Sequence, residues 1–304
     1  MDGETEAQPG FDRRPVTPRR ALEQAAGALS RAGIESARLD AEVLLAHALG
    51  VTRDKLYLDY DAPLAADRQE RFSSLIGRRC RREPVAYLTG RREFWSLDFL
   101  VTPAVLVPRP ETELLVETAL GLIGETTILD LGFRILELGT GSGAIAISLA
   151  REKPAAEIWA TDISPAALEV ARANASRHAV ANKIHFSAGD LFEAVSDRRG
   201  FFSMIVANPP YIRSDEFDRL PRAVRDFEPR IALDGGSDGL DFYRRIVQVG
   251  RLYLASSGLV LFEIGADMAD EVVRLFADAG CYSLARVYQD YAGRDRVVSA
   301  RKLT

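Results

Sequence analysis

From about residue 133 to its end, the 304-residue sequence predicts an α/β fold with a mostly parallel sheet covered by helices on both faces. Apolar runs typical of buried strands alternate there with amphipathic segments of helical length. A glycine-rich stretch stands where the first strand would turn into a helix, and an Asn-Pro-Pro-Tyr sequence directly follows a later apolar run. These observations indicate a sheet whose strand ends carry functional loops.

The strands are predicted from short β-branched and apolar runs bounded by turn residues. They are expected at residues 134–138, 157–162, 184–188, 202–207, 258–263, 282–288 and 296–300. Apolar residues at helical spacing predict the helices between them. These helices are expected at 142–152, 165–178, about 240–256 and 267–279.

The chain before the sheet predicts a small group of helices. Thr17-Pro18 is a typical helix start, because threonine caps the first amides and proline fits the first helical position. Helices are expected at 18–31, 37–49 and 65–81, and a further one at Glu111–Ile123 leads into the sheet.

Four regions follow from these patterns. The first is polar and contains prolines, which predicts disorder, and the third is rich in aromatic and β-branched residues, which predicts a β-hairpin. The predicted regions are a disordered tail at 1–16, a helical domain at 17–83, a hairpin linker at 84–108 and the sheet-containing domain at 109–304.

Composition excludes several classes of protein. Apolar residues make up 47% and charged residues 27% of the chain, which is ordinary for a soluble globular protein. The net charge of −5 argues against general nucleic-acid binding. No apolar run approaches the ~20 residues of a membrane span, and the acidic opening is not a signal peptide. Cys80 and Cys281 form no framework and the three histidines show no metal-ligand spacing, so we expect a cytoplasmic protein without a metal site.

The glycine-rich stretch, here called the glycine loop (137–143), is the first chemical motif. Glycines at a strand-to-helix turn let a ligand approach the backbone and expose helix amides. Asp162 ends the next predicted strand, where a carboxylate accepts hydrogen bonds from both hydroxyls of a ribose. The spacing of the glycines in this loop also satisfies the dinucleotide-binding fingerprint. NAD(P) binding and a purely structural turn therefore remain alternatives. The negative charge of Glu137 favours a cationic ligand such as S-adenosylmethionine. The predicted cofactor residues of the loop are Glu137, Gly139, Thr140, Gly141, Ser142 and Gly143.

A third acidic residue, Asp190, follows the strand predicted at 184–188. Its carboxylate could accept from an adenine amino group, with Leu191 or Phe192 packing on the ring. A helix cap or surface loop is an equally good interpretation of this aspartate.

The second motif, here called the clamp loop (Asn208–Tyr211), follows the strand at 202–207. Two prolines fix the backbone, so the Asn208 side-chain oxygen and the Pro209 carbonyl can accept both hydrogens of a planar –NH2 group. A methyl donor beside such a clamp implies N-methylation. Asn208, which we also expect to contact the cofactor, Pro209, Pro210 and Tyr211 are the predicted catalytic residues, with loop packing as the alternative role of Tyr211.

From about residue 18 to its end, the sequence resembles the protein-(glutamine-N5) methyltransferases of the HemK/PrmC type, which modify class-1 peptide-chain release factors. The resemblance is carried by EPVAYLTG, VPRPETELLVE, ELGTGSGAIAISLA, ATDISPAALEVARANA, NPPYI, DFEPRIAL and DYAGRDRVV. It implies a seven-stranded class I, Rossmann-like methyltransferase sheet whose last strand is antiparallel. The 16-residue tail has no counterpart in it.

The resemblance also implies a site and a substrate. S-adenosylmethionine would lie on Gly139–Gly143, Asp162 and the Asp190–Leu191 turn. The glutamine of a release factor's Gly-Gly-Gln tip would be held by Asn208, Pro209 and Tyr211, while the N-terminal helices dock the rest of the factor. Some members carry an aromatic residue at Leu191, so adenine packing at Leu191 or at Phe192 stays open.

Three alternatives remain beside a release-factor enzyme. Adenine-N6 methyltransferases of nucleic acid share the NPPY sequence, glutamine methyltransferases of a ribosomal protein differ at VPRPETE, and a cofactor-binding module without turnover would not need both motifs. Six arginines near the predicted domain junction form either a solvated face or a dock for an acidic partner surface. They are Arg78, Arg79, Arg81, Arg82, Arg91 and Arg92.

Overall fold

A computed structural model of the chain describes residues 16–124 and 132–304. Most of the predicted tail, 1–15, lies outside the described residues. Its last residue, Val16, is buried, and its carbonyl accepts a hydrogen bond from the Leu64 amide at 3.0 Å. The prediction of a disordered tail is therefore wrong at Val16, because this apolar side chain next to the first helix is buried in the core.

The chain divides into two compact units, Met1–Gly90 with Arg222–Phe227, and Arg91–Pro221 with Glu228–Thr304. The first unit is helical, as predicted. Thr17 accepts a hydrogen bond from the Arg20 amide at 3.4 Å, and Pro18 occupies the first turn. The helices are α1 (Pro18–Arg31), α2 (Ala37–Leu49), α3 (Ala66–Cys80) and α4 (Val85–Thr89), and Arg222–Arg225 adds a single turn.

The hairpin linker predicted over 84–108 is wrong in its first part, which forms the helix α4. Proline at position 84 starts this short helix and Gly90, at φ +71°, ends it, so local caps override the composition of the segment. The hairpin itself is shorter and consists of β1 (Arg91–Phe94) and β2 (Leu97–Leu100). Trp95 and Ser96 both have positive φ, as a type I′ two-residue turn between antiparallel strands requires.

The second unit contains a seven-stranded sheet in the order β5-β4-β3-β6-β7-β9-β8. Its strands from β5 to β7 are parallel, and β9 is antiparallel to both of its neighbours. The α/β prediction is therefore confirmed, including the antiparallel last strand. The strands are β3 (Arg134–Leu138), β4 (Glu157–Asp162), β5 (Ile184–Ala188), β6 (Phe202–Ala207), β7 (Leu254–Glu263), β8 (Arg286–Gln289) and β9 (Asp295–Arg301).

Helices cover both faces of this sheet. Successive residues of β3 show it, since Ile135 belongs to one buried apolar cluster and Leu136 to another. The helix predicted at 240–256 ends at Gly250, because Leu254 already pairs with Phe202 in the sheet. The helices are α5 (Glu113–Gly124), α6 (Ala144–Glu152), α7 (Pro165–Arg177), α8 (Asp241–Gly250) and α9 (Ala269–Ala279).

The strand order places a topological switch point at β3. Its neighbours are β4 on one side and β6 on the other. The helices after these two strands pack in different buried clusters, since Ala175 of α7 belongs to one and Ile246 of α8 to the other. The loops that follow β3, β4 and β6 therefore meet at one edge of the sheet. The glycine loop, Asp162 and the clamp loop are these three segments.

Candidate active site

A cavity of about 220 Å³ lies at this carboxyl edge, within the second unit. It is lined by the predicted site residues of the glycine loop, the β4 tip, the Asp190–Leu191 turn and the clamp loop. Two predicted residues, Gly143 and Tyr211, are not part of the lining. The structure thus brings both sequence motifs to one cavity.

The glycine loop is held by the neighbouring strand. The amides of Gly139 and Thr140 both donate to the Thr161 carbonyl at 2.9 Å. Gly143, at φ +81°, caps α6, and a Cβ there would lie 2.9 Å from Ile147 Cδ1 and 3.2 Å from Ala171 Cβ. Gly143 therefore serves helix packing behind the loop, which is a different use from the backbone approach that the sequence suggested.

Asp162 is oriented by two backbone amides. Its Oδ2 accepts from Gly141 and its Oδ1 from Ser164, both at 2.8 Å. Burial raises the pKa of Asp162, and these hydrogen bonds to the carboxylate oppose the rise. The carboxylate lines the cavity with its orientation fixed, so it can accept hydrogen bonds from a ligand's hydroxyl groups.

Glu137 is the most deeply buried acid of the site. Its Oε2 accepts from Thr140 Oγ1 at 2.7 Å and from the Ala146 amide at 3.1 Å. Its Oε1 is buried and has no hydrogen-bond partner among the described residues. Burial raises the pKa of Glu137 to about 8, and the nearby charge of Asp162 adds to the rise. An unpaired, buried acceptor beside the cavity fits a ligand that carries a positive charge.

The turn after β5 differs in part from expectation. Asp190 forms an ion pair with Arg245 at 2.6 Å, so its carboxylate already has a partner. Leu191 lines the cavity and has a φ of +51°, unusual for a branched residue. Phe192 is buried and stacks on Tyr253 with ring centroids 4.6 Å apart. Of the two residues considered for adenine packing, only Leu191 reaches the cavity.

The clamp loop presents its first three residues to the cavity. The Asn208 Nδ2 donates to Thr112 Oγ1 at 3.2 Å, which turns the side-chain oxygen away from that threonine. Tyr211 packs against a buried apolar cluster, and burial raises the pKa of its hydroxyl to about 12. Its ring supports the loop and does not line the cavity.

Two glycines brace the clamp loop from behind. A Cβ on Gly235 would lie 2.7 Å from Tyr211 Cα and 2.8 Å from the Pro210 carbonyl, and a Cβ on Gly239 would overlap the Tyr211 carbonyl. The Ile212 amide donates to the Leu233 carbonyl at 2.9 Å, which continues the brace. Only glycine fits this close approach of two backbones.

Several residues that position the site lie in the motifs quoted above but were given no role of their own from the sequence. Asn174, fully buried in α7, donates to the carbonyls of Leu100 and Ser142 and accepts from the Leu100 amide, so it ties the hairpin to the glycine loop. Glu228 is also buried; it accepts from the Val107 amide at 3.2 Å and from Arg109 at 2.5 Å. Polar residues of this kind are recognisable only once the fold brings their partners together.

The arginine cluster is largely paired internally. In the first unit, Arg78 pairs with Glu83, Arg79 pairs with Asp40 at 2.7 Å, and Arg82 donates to a carbonyl. These contacts favour an internally paired group of arginines over a free cationic dock, and the Arg79–Asp40 pair is largely buried. In the second unit, Arg91 pairs with Asp98, and Arg92 donates to the Pro108 carbonyl.

Across residues 16–124 and 132–304, no helix is long and apolar enough to cross a membrane. The same residues contain no group of three or more acidic, histidine or cysteine side chains that could hold a metal ion. Both cysteines are free thiols.

Two family models match the chain, the PrmC N-terminal domain over residues 20–90 and the methyltransferase small domain over residues 112–224. The release factor glutamine methyltransferase of Geobacter sulfurreducens is 42% identical over 288 residues, which cover 94% of this chain and 96% of that protein. The protein of the same name from Moorella thermoacetica is 44% identical over 281 residues, covering 92% and 97%. A methyltransferase structure from Pyrococcus furiosus shows the fold, with a TM-score of 0.50 and 20% identity over 68% of this chain and 90% of that one. The resemblance seen in the sequence is confirmed, and this chain belongs to the family of release factor glutamine methyltransferases.

Proposed function

We propose that this chain methylates the side-chain amide nitrogen (N5) of the glutamine in the Gly-Gly-Gln tip of class-1 release factors, using S-adenosylmethionine. The observation that carries the proposal is that a rigid amide clamp and an acidic, glycine-rich ligand loop line one cavity. The two relatives named above are called release factor glutamine methyltransferases, which supports glutamine methylation of a release factor.

The cavity fits S-adenosylmethionine at two points. Asp162, oriented by two amides, suits the ribose hydroxyls, and the unpaired Oε1 of Glu137 suits a positively charged group of the same ligand. Leu191 supplies an apolar surface for the adenine, while Asp190 reaches that ring only in competition with Arg245. The cofactor contributes a methyl group that its positively charged sulfur makes electrophilic.

The clamp loop holds the nitrogen that is methylated. Asn208 Oδ1 and the Pro209 carbonyl accept its two hydrogens, so the lone pair is held toward the methyl carbon. An amide nitrogen is a poor nucleophile because its lone pair is delocalised, and fixed geometry supplies much of the rate in such a case. The nitrogen becomes acidic once it is alkylated, so no strong base is needed before transfer. Pro210 keeps the loop rigid, and Tyr211 supports it from the core side.

The partner in this proposal is a class-1 release factor in the cytoplasm, docked by the helices of residues 17–83. Direct recognition of nucleic acid or of a membrane has no part in it. Arg81, whose side chain is exposed, is the member of the arginine cluster best placed to meet an acidic partner surface.

The test is incubation with methyl-labelled S-adenosylmethionine and purified release factor, followed by peptide mass spectrometry. We expect one methyl group on the tip glutamine and none on a factor whose tip glutamine is replaced by alanine. Label on DNA, on RNA or on a ribosomal protein, with none on the tip peptide, would overturn the proposal in favour of one of the alternatives.

A further inference from the structure

Asn208 can hold an amide nitrogen only if its oxygen, and not its own –NH2 group, faces the cavity. The two ends of a carboxamide have nearly the same shape, so shape alone does not select one of them. In the structure, Asn208 Nδ2 donates to Thr112 Oγ1 at 3.2 Å. A hydroxyl accepts and donates equally well, so Thr112 by itself would tolerate either end.

Glu263 removes this ambiguity. It follows Phe262, which pairs with Ala207, so it lies at the end of β7 beside Asn208, the first residue after β6. Burial raises the pKa of Glu263 to about 7, while hydrogen bonding from Thr112, the charge of Arg296 and hydrogen bonding from Asn208 favour its ionised form. Its Oε2 is buried and has no hydrogen-bond partner in the described part of the chain.

An ionised carboxylate only accepts hydrogen bonds. The Thr112 hydroxyl therefore donates to Glu263, which leaves the Thr112 oxygen to accept from the Asn208 –NH2 group. A flipped Asn208 would place Oδ1 against two acceptors in a buried site, which costs the full desolvation penalty of those groups. The unpaired Oε2 adds to that penalty because it attracts –NH2 and repels Oδ1.

We propose that Glu263, acting directly and through Thr112, is a positioning residue that fixes the polarity of the Asn208 carboxamide so that its oxygen faces the substrate nitrogen. The inference deepens the proposed function and rests on it. It assigns to Glu263 an effect on turnover without contact to substrate or cofactor, since Glu263 is not part of the cavity lining.

A protonated Glu263 can donate a hydrogen bond to Asn208 Oδ1, and this favours the flipped, incompetent orientation of Asn208. Turnover at saturating cofactor and substrate should therefore rise about tenfold per pH unit below about pH 7 and level off above it.

Several titratable or charged groups face Glu263 from the elements around it. They are Glu111 of the Pro110–Thr112 turn, Tyr211 of the clamp loop, Tyr243 of α8, whose hydroxyl donates to the Glu263 carbonyl, and Arg296 of β9.

The first measurement is the side-chain amide signal of Asn208 in a ¹H–¹⁵N spectrum, assigned by its loss in Asn208→Ala. We expect this signal to titrate near pH 7 and to shift in Glu263→Gln and in Thr112→Val. Thr118→Val is the matched control, because Thr118 is another buried threonine, in α5, outside the cavity lining. The control should leave the Asn208 signal in place.

The second measurement is methylation of the release-factor tip. Glu263→Gln and Thr112→Val should each lower turnover about tenfold or more, with cofactor affinity unchanged within about twofold. Thr112→Ser keeps the hydroxyl and should restore turnover, and Glu263→Gln should remove the rise of turnover with pH.

The two proposals fail differently. The positioning role is wrong if Glu263→Gln and Thr112→Val keep turnover within about twofold of the unmodified protein. It is also wrong if the Asn208 side-chain signal is unchanged in both variants. If the unmodified protein leaves the tip glutamine unlabelled while the Asn208 signal behaves as expected, the proposed substrate is wrong and the positioning of Asn208 stands.

Discussion

In the proposed function, the cofactor end and the clamp end of the cavity each depend on one buried glutamate, and the two glutamates have different roles. Glu137 on β3 and Glu263 on β7 are 1% and 2% exposed, each has one oxygen without a partner among the described residues, and burial raises their pKa values to about 8 and about 7. Glu137 lines the cavity and Glu263 does not. Similar burial therefore supports direct ligand contact at one end and orientation of a neighbour at the other.

The largest expected effect lies at the clamp end. Asn208→Ala removes one of the two acceptors for the substrate nitrogen and should lower turnover about 10³-fold, while the dissociation constant of S-adenosylmethionine changes by less than about threefold. Calorimetric binding and methylation assays measure the two quantities. Asn182→Ala, at an exposed asparagine outside the cavity lining, is the control. Near-normal turnover in Asn208→Ala would mean that the clamp is not used.

A substitution at the cofactor end should have the opposite effect, lowering cofactor affinity and leaving turnover nearly unchanged. Glu137→Gln keeps the shape but removes the charge, so S-adenosylmethionine should bind about 100-fold more weakly, with turnover at saturating cofactor little changed. For the unmodified protein, affinity should rise with pH up to about pH 8, because the ligand's positive charge favours the ionised carboxyl. An affinity that is independent of both the substitution and pH would contradict a cationic contact at Glu137.

The folding stability of the protein should also depend on the ionisation of Glu137. Glu137 has an ordinary pKa of 4.5 when exposed and about 8 in the fold. The folded protein therefore binds more protons than the unfolded chain between these values, so this residue's contribution to the free energy of unfolding falls as pH rises from about 4.5 to about 8. Above pH 8, Glu137→Gln should be more stable than the unmodified protein by a few kcal/mol, on the order of the pKa shift. Urea unfolding of both proteins without cofactor, at several pH values, measures this difference. If the free energy of unfolding changed equally with pH in both proteins, the prediction would be contradicted.

The smallest effect is expected at the turn after β5. Leu191→Ala removes apolar surface from the cavity and should weaken S-adenosylmethionine binding about fivefold. Phe192→Leu disturbs the stack on Tyr253 within a buried cluster and should lower the melting temperature without changing affinity. Reversed effects of the two substitutions would place the adenine contact at Phe192.

Much of the fold followed from local patterns. The strands at 134–138, 157–162 and 202–207 are runs of apolar residues that end in glycine, aspartate or proline turns, and each has the predicted bounds. The segment at 85–89 was mistaken because its composition resembles a strand, whereas Pro84 and Gly90 enclose a span that suits a single short helix. Caps a few residues away outweighed intrinsic preference there.

The site residues likewise fall into those that a local sequence motif indicates and those that it does not. Residues next to a turn signal, such as Glu137 and Asp162, were proposed from the motif itself, and both line the cavity. Thr112 and Glu263 were not assigned roles, since the contacts of Asn208 with them join three separate segments of the chain. For Tyr211, substrate contact and loop packing were both considered, and its packing against a buried cluster favours the second.

The glycine brace behind the clamp loop limits how this site can be redesigned. Any side chain at Gly235 or Gly239 would collide with the backbone of Tyr211, so the clamp cannot be reshaped by mutating its support. Ile231, by contrast, lines the cavity and is 55% exposed. Libraries that aim to change which peptide is accepted should therefore vary Ile231 at the entrance and leave the clamp's scaffold untouched.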